Sequence, residues 1–219
     1  GFTSRYPYKF FYCALLSKEL LREAEARVVY FDSDILFQRE VDPLMDEIRE
    51  QKLYISREHS SIAESRYMRE WLRTTDISFA GDNELFHAEL LRSPNYCSGF
   101  LGGFARTFNA FNLLCILLAS NRFTQFHTDQ PLANIMVNYF GYPIVEVKMT
   151  RVLHLSHAPA DRLVVDDGTI LLDGVAPIAV HFNGGRIGLM KQAFTKQLTT
   201  AALVRRRPTI LKRILNRLI

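Results

Sequence analysis

The sequence predicts an α/β domain, and three stretches carry that prediction. Val28-Val29-Tyr30-Phe31 is a run of four apolar residues with β-branched members, which reads as a buried parallel strand. An amphipathic stretch from Tyr8 to Ala26 stands directly before it, giving the helix-then-strand half of a βαβ unit. Late in the chain, Ile178-Ala179-Val180 is a second short apolar strand that delivers His181 before the turn at Gly184-Gly185. The first strand ends in Asp32-Ser33-Asp34. In an extended chain residues i and i+2 face the same way, so both carboxylates can converge on one cation. They would do so past the carboxyl end of the strand, the edge where open α/β sheets collect ligands. A solvated turn after a core strand accounts for the same residues.

The elements follow in order. In the first helix Phe11, Ala14, Leu15, Leu20 and Leu21 roughly keep a helical period, while Lys18, Glu19, Arg22, Glu23 and Glu25 give a polar face. Lys9, on its first turn, is a solvated lysine unless the helix start faces the edge that carries Asp32. Asp42-Pro43-Leu44 opens a helix with proline near its first position. Leu53-Tyr54-Ile55-Ser56 is a short strand, and Arg57-Glu58-His59 reads as exposed loop, with substrate contact as the other account. Helix is expected within Ile62 to Leu72, and Trp71 as a core residue. Cys97-Ser98-Gly99-Phe100-Leu101-Gly102-Gly103 puts glycines inside an apolar run, marking a bulge or a close backbone approach to a ligand. Thr107 to Ala119 reads as an apolar core helix. His127-Thr128-Asp129-Gln130-Pro131 starts another, with Thr128 or Asp129 as its N-cap. Val145 to His154 and Leu163 to Leu172 read as strands, the second folded at Asp167-Gly168 as a two-residue hairpin.

Bulk properties exclude several classes. At 219 residues, 48% hydrophobic and 23% charged, the chain suits one domain or one and a fraction, with material for a core. The net charge of +4 comes largely from residues 205–219, so no nucleic-acid-binding surface is implied for the body. Cys13, Cys97 and Cys115 show no CxxC spacing and read as buried thiols of a reducing, cytoplasmic compartment. No apolar run reaches the roughly 18 residues that span a bilayer, and no signal peptide is visible. Glycine in place of methionine at position 1 points to a fragment. The tail 205–219 is basic and amphipathic, with Ile210, Leu211, Ile214, Leu215, Leu218 and Ile219 on one helical face. It suits the inner face of an anionic membrane, or a terminal helix docked on the domain.

A lone histidine at a strand end, such as His181, is usually a hydrogen-bonded core or edge residue. Joined to two carboxylates, a neutral imidazole makes a site suited to Mn²⁺, with Mg²⁺ less suited to the nitrogen. Asp129 is equally well a simple helix cap.

With these pieces in this order, the chain resembles the GT-A glycosyltransferases of family 8, the glycogenin and lipopolysaccharide galactosyltransferase type. Asp32-Ser33-Asp34 resembles the family's DxD, Ser98-Gly99 its turn under the donor sugar, Asp129-Gln130 its DQ pair, and His181-Phe182-Asn183-Gly184 its HxxG. The resemblance implies a GT-A fold over residues 1–204, a mixed, mostly parallel sheet flanked by helices. It also implies that a nucleotide-binding βαβ segment precedes the helix where this chain begins. Asp32, Asp34 and His181 would hold Mn²⁺ or Mg²⁺ against the diphosphate of a nucleotide sugar, UDP by family default. Gly184 would let the backbone approach the phosphates, and Asp129 and Gln130 would line the donor and acceptor pocket. Lys9 matches loosely the basic residue before the DxD strand. The family's phosphate-binding lysine is replaced by Ile187, leaving Arg186 or Lys191 to serve. The implied reaction is transfer of a hexose to a glycan or lipid-linked acceptor, with retention. Two alternatives remain: a haloacid-dehalogenase-type phosphatase, with Asp166-Asp167 as its late acidic pair, and a non-catalytic GT-A-like binding domain.

Overall fold

A computed structural model describes residues 8–23, 25–73, 83–120, 129–156, 158–183, 191 and 193. Its main sheet contains β1 (Arg27–Phe31), β4 (Asn95–Phe104), β3 (Leu53–His59) and β5 (Ile144–Val147), side by side in that order. A second sheet has the order β2 (Ile35–Phe37), β9 (Ala179–His181), β6 (Val152–His154), and β7 (Leu163–Asp166) and β8 (Thr169–Leu172) form a hairpin. The helices are α1 (Tyr8–Lys18), α2 (Asp42–Asp46), α3 (Arg66–Arg73), α4 (Asn83–Arg92), α5 (Ala105–Ser120) and α6 (Asp129–Asn138).

Alternation along the strands builds three layers. Leu53, Ile55 and Leu101 face a cluster with Phe10, Phe108, Phe111 and Leu132 from α1, α5 and α6. Tyr54, Phe100 and Phe104 face the other way, onto Ile35, Val152 and Ala179 of the second sheet. The far side of that sheet, Leu36, Leu153 and Val180, is covered by Ile170 and Leu172 of the hairpin. Each fully buried Leu or Val contributes about 1.5–3 kcal/mol, so a one-residue slip of β6 or β9 would be costly. That cost pins the register that matters for the site.

The mixed α/β architecture matches expectation, but the pairing is less parallel. Among the described strands only β3–β5 and β6–β9 are parallel; β1–β4, β3–β4, β2–β9 and β7–β8 are antiparallel. β1 is half-buried throughout, because among the described strands it has a partner on one side only. The expected strand Val145 to His154 is two strands in different sheets. A turn separates them, in which Arg151 N–H donates to Lys148 C=O at 2.8 Å. The β7–β8 turn is as expected, with positive φ at Asp167 (43°) and Gly168 (79°).

The first helix buries a different face from the one periodicity suggested, and α5, expected as a core helix, is core on one face only. α1 buries Phe10, Cys13, Ala14 and Ser17, and leaves Phe11, Leu15 and Leu16 exposed. Asn109 of α5 fixes this rotation by donating to Ala14 C=O at 2.7 Å and to Ser17 Oγ at 3.1 Å. In α5 itself Phe108, Phe111, Cys115 and Ala119 are core, whereas Leu113, Leu114 and Leu117 are exposed. Among the described residues no helix is long and apolar enough to cross a membrane.

Candidate active site

The site lies where the ends of β1 and β3 and the first half of β4 meet the start of β2 and the ends of β6 and β9. Asp32, just past β1, is fixed by its backbone N–H, which donates to Gly99 C=O at 2.9 Å. The chain turns there, with Ile35 N–H donating to Asp32 C=O at 3.2 Å, and enters the second sheet as β2. β2 pairs with β9 so that Ile35 stands opposite His181, one residue beyond Asp34. The backbone bond from Phe182 N–H to Asp34 C=O at 3.1 Å closes that end. As a result His181 Nε2 is 3.1 Å from Asp34 Oδ1. One ligand atom each from Asp32, Asp34 and His181 fall within 4.8 Å of one another.

Gly99 makes this convergence possible. A Cβ built there would sit 2.4 Å from His181 Cε1, 2.9 Å from its Nδ1 and 3.1 Å from Asp32 Oδ2. The sequence pointed to a bulge or a close approach to a ligand at these glycines; at Gly99 the group that comes close is the imidazole of His181.

Lys9 is not a solvated lysine. Its Nζ lies 3.0 Å from Asp32 Oδ1 and 3.1 Å from Ser98 C=O, and forms an ion pair with Asp129. Burial would lower its pKa, but the carboxylates of Asp129 and Asp32 outweigh burial and hold it above the ordinary lysine value. Asp129 mirrors this. Burial would raise its pKa, yet Lys9 and the Ser98 hydroxyl, which donates at 2.5 Å, hold it below the usual carboxylate range. Tyr30 donates its hydroxyl to Asp32 Oδ1 at 2.6 Å; burial first, and then that bond, push the phenol up and keep it protonated.

Asp129 and Gln130 open α6, which Asn134 clamps to β4. The Asn134 amide donates to Tyr96 C=O and its oxygen accepts from Tyr96 N–H, both at 2.8 Å. Gln130 Nε2 donates to Glu58 Oε2 at 2.6 Å. Glu58 corrects the reading of residues 57–59 as exposed loop: β3 continues to His59, and its end carries Glu58 into the site. Its Oε1 accepts from Ser156 Oγ at 2.9 Å and from Asn183 Nδ2 at 2.5 Å, and its Oε2 also accepts from Asn95 Nδ2 at 3.3 Å. The missed signal was β-pairing that runs past the last apolar residue of the strand. Trp71, expected in the core, packs against it only partly and also lines the site.

These groups border a cavity of about 670 Å³, whose walls include Asp32, Glu58, Asp129, Gln130, His181 and Asn183. Tyr67 and Trp71 add an aromatic wall, with ring centroids 6.1 Å apart and planes 32° from parallel. The volume is that of a small-molecule site. His154, unremarked in the sequence, is buried beside His181 because β6 and β9 pair them directly. Lys191 is exposed and is not among the lining residues. Gly184, Arg186 and the tail 205–219 lie outside the described residues.

No family model matches the sequence, and no curated protein matches it. Solved structures do. The apo structure of the WbbM bifunctional glycosyltransferase aligns with a TM-score of 0.53 at 8% identity, over 88% of this chain and 36% of that one. The fold is GT-A-like. The apo crystal structure of mouse xyloside xylosyltransferase 1 aligns with a TM-score of 0.48 at 14% identity, over 80% of this chain and 64% of that one. The chain therefore spans less than two thirds of the length of either neighbour.

Proposed function

We propose that the chain is a metal-dependent glycosyltransferase domain that moves a hexose from a nucleoside-diphosphate sugar, a UDP-sugar first, to a glycan or lipid-linked acceptor with retention. The observation that carries this reading is the meeting of Asp32 and Asp34, from the turn after β1, with His181, from the distant end of β9, beside the cavity. The GT-A-like fold supports it. Two carboxylates and one imidazole form a donor set that fits Mn²⁺ better than Mg²⁺. When bound there, such an ion supplies Lewis acidity towards a leaving diphosphate.

The chain's own residues do the rest. Lys9 is held as a cation between Asp32 and Asp129, and fixes both carboxylates at the floor of the site. Asp129 is kept ionised by that pairing, which makes it a poor proton acceptor and favours an electrostatic role beside positive charge developing on the sugar. Gln130 and Asn183, oriented by Glu58, present amide groups suited to sugar hydroxyls. Tyr67 and Trp71 offer flat apolar surface to the carbon face of a pyranose and help exclude water. Arg186 and the backbone at Gly184 remain the proposed phosphate contacts, and residues 205–219 a proposed contact to an anionic membrane surface.

The phosphatase alternative lacks support, because Asp166 and Asp167 form the hairpin corner and do not line the cavity. The test is calorimetric titration of the full chain with UDP, with and without Mn²⁺. Binding is expected only with Mn²⁺, and Asp34→Asn is expected to weaken it at least tenfold while the circular dichroism spectrum and melting temperature stay close to wild type. Equal affinity in the mutant would refute the assignment. Phosphate release from a generic ester would favour the phosphatase, and neither activity would leave a binding domain.

A further inference from the structure

His181 offers its two ring nitrogens to two different neighbourhoods. Nε2 faces Asp34, as described. Nδ1 lies 3.0 Å from His154 Nδ1 and 3.5 Å from Cys97 Sγ. All three residues are closed to solvent, with relative exposures of 2% for Cys97, 0% for His154 and 4% for His181. Their ligand atoms fall within 4.8 Å of one another. The arrangement follows from the fold: β6 and β9 set the two imidazoles side by side, and β4 brings the thiol from the facing sheet.

We propose that Cys97, His154 and His181 form a binding site for a soft divalent cation of the Zn²⁺ class. The donor set of one sulfur and two imidazole nitrogens selects such an ion over Mg²⁺ or Ca²⁺. Bond lengths of about 2.05 Å to nitrogen and 2.3 Å to sulfur at tetrahedral angles require roughly 3.5 Å between nitrogen and sulfur and roughly 3.3 Å between nitrogens. The Cys97–His181 spacing meets the first value, and the imidazole pair need open by only a few tenths of an ångström. The outer partners are in place as well. His154 Nε2 lies 2.6 Å from Ser56 Oγ, and His181 Nε2 lies 3.1 Å from Asp34 Oδ1. Each ring can therefore keep its proton on Nε2, donate it outward, and turn the Nδ1 lone pair inward, the usual support of a metal-bound histidine. Binding forms one metal–sulfur and two metal–nitrogen bonds. The Cys97 proton is released to solvent, since both imidazoles bind in their neutral form.

One consequence rests on the proposed function; the soft site itself does not. A neutral imidazole has one free lone pair. When Nδ1 of His181 holds a cation, Nε2 carries the proton and cannot serve an ion between Asp32 and Asp34. The two cations therefore exclude each other at His181, and Zn²⁺ acts as an inhibitor of Mn²⁺-dependent nucleotide binding.

The experiment is titration of the metal-stripped full chain with Co²⁺ as a spectroscopic stand-in for Zn²⁺. The expected result is a thiolate-to-cobalt charge-transfer band that saturates at one equivalent and is bleached by Zn²⁺. The band should persist in Asp34→Asn, whose side-chain oxygen still accepts from Nε2–H, and vanish in Cys97→Ser. His154→Gln should weaken Co²⁺ at least tenfold. A wild-type chain without the band at equimolar Co²⁺ overturns the site whatever the variants do. A band retained in Cys97→Ser also overturns it, since Cys13 or Cys115 would be its source. In parallel, one equivalent of Zn²⁺ should weaken Mn²⁺–UDP binding at least tenfold in wild type and leave it unchanged in any residual binding by Cys97→Ser. A band without that competition overturns the exclusion at His181. Absence of any Mn²⁺–UDP binding overturns the proposed function, while the cobalt spectrum still decides the soft site.

Discussion

Gly99→Ala tests the geometry of the site with one added methyl group. The new Cβ would stand 2.4 Å from His181 Cε1, where a comfortable carbon–carbon contact is about 3.5–4.0 Å, so something must move by more than an ångström. The obstacle is not a flexible side-chain end. His181 is buried between β2 and β6 partners, its ring sits against Cys97 and His154, and its backbone carbonyl accepts from Leu155 N–H at 3.0 Å. Overpacking of this kind costs about 1–3 kcal/mol. For a chain of this size each kcal/mol shifts the melting temperature by about 2–4 °C, so a fall of roughly 2–12 °C is expected.

The useful contrast is Gly102→Ala on the same strand. There the added Cβ meets Val29 Cγ1 at 3.0 Å and Ile48 Cδ1 at 3.5 Å, the ends of side chains remote from the acids. Both variants should lose stability, but only Gly99→Ala should lose Mn²⁺-dependent UDP binding, by tenfold or more, because displacement of His181 carries it away from Asp34. The assays are thermal melting and calorimetry on the folded fraction at a temperature well below both transitions. Wild-type affinity in Gly99→Ala would refute the reasoning, since the ring the methyl displaces would then not be a ligand. Parallel loss of affinity in Gly102→Ala would refute it too, by showing that general softening of β4 is enough.

Lys9→Met leaves Asp32 and Asp129 facing each other without their shared cation, at a cost on the order of 2 kcal/mol near neutral pH. In the wild type the depressed Asp129 contributes stability above its unfolded pKa of about 3.9, and that stability is lost as pH falls through the lower folded value. The raised Lys9 contributes below about 10.4 and is lost as pH rises through its higher folded value. Urea denaturation should therefore show the largest gap between wild type and Lys9→Met across the plateau between these limits, narrowing as pH falls below about 3.9; a gap independent of pH would exclude the ion pair as its cause. Removal of residues 205–219 should lower binding to anionic vesicles in sedimentation assays, and added salt should reduce binding by the full chain as well. Equal sedimentation of the truncated and full chains would reject a membrane role for the tail.

How far the sequence disclosed this site depends on which interaction places each residue. Asp32 and Asp34 were legible because a single strand sets their spacing, and strand geometry is local. Ser98-Gly99 and Asp129-Gln130 were legible as punctuation, glycines in an apolar run and a cap before a proline, although punctuation does not say what approaches it. Glu58 was misread because apolar pattern stops at Ser56, while the strand continues to pair with β4 through Arg57 and His59 across a register shift. The buried face of α1 was misjudged for a related reason. Its apolar residues surround much of the helix, and polar clamps from Asn109, not hydrophobicity, select the face that docks.

His154 shows the limit most clearly. Nothing near it in the chain marks it, because its importance comes from its neighbour across a parallel pair, His181, which is 27 positions away. The segment between them includes the β7–β8 hairpin, whose Ile170 and Leu172 pack on Leu153 and Val180. That packing fixes the register of β6 against β9, and a one-residue slip of either strand would turn its imidazole to the opposite face, away from the other. An apolar cluster with no chemistry of its own therefore decides whether two histidines meet. Weakening it, as in Ile170→Ala, is expected to cost about 2–5 kcal/mol. If the hairpin serves only to hold that register, the folded fraction of the variant should keep its cation affinities. A specific loss of Co²⁺ binding would instead mean that the hairpin tunes the distance between the two rings.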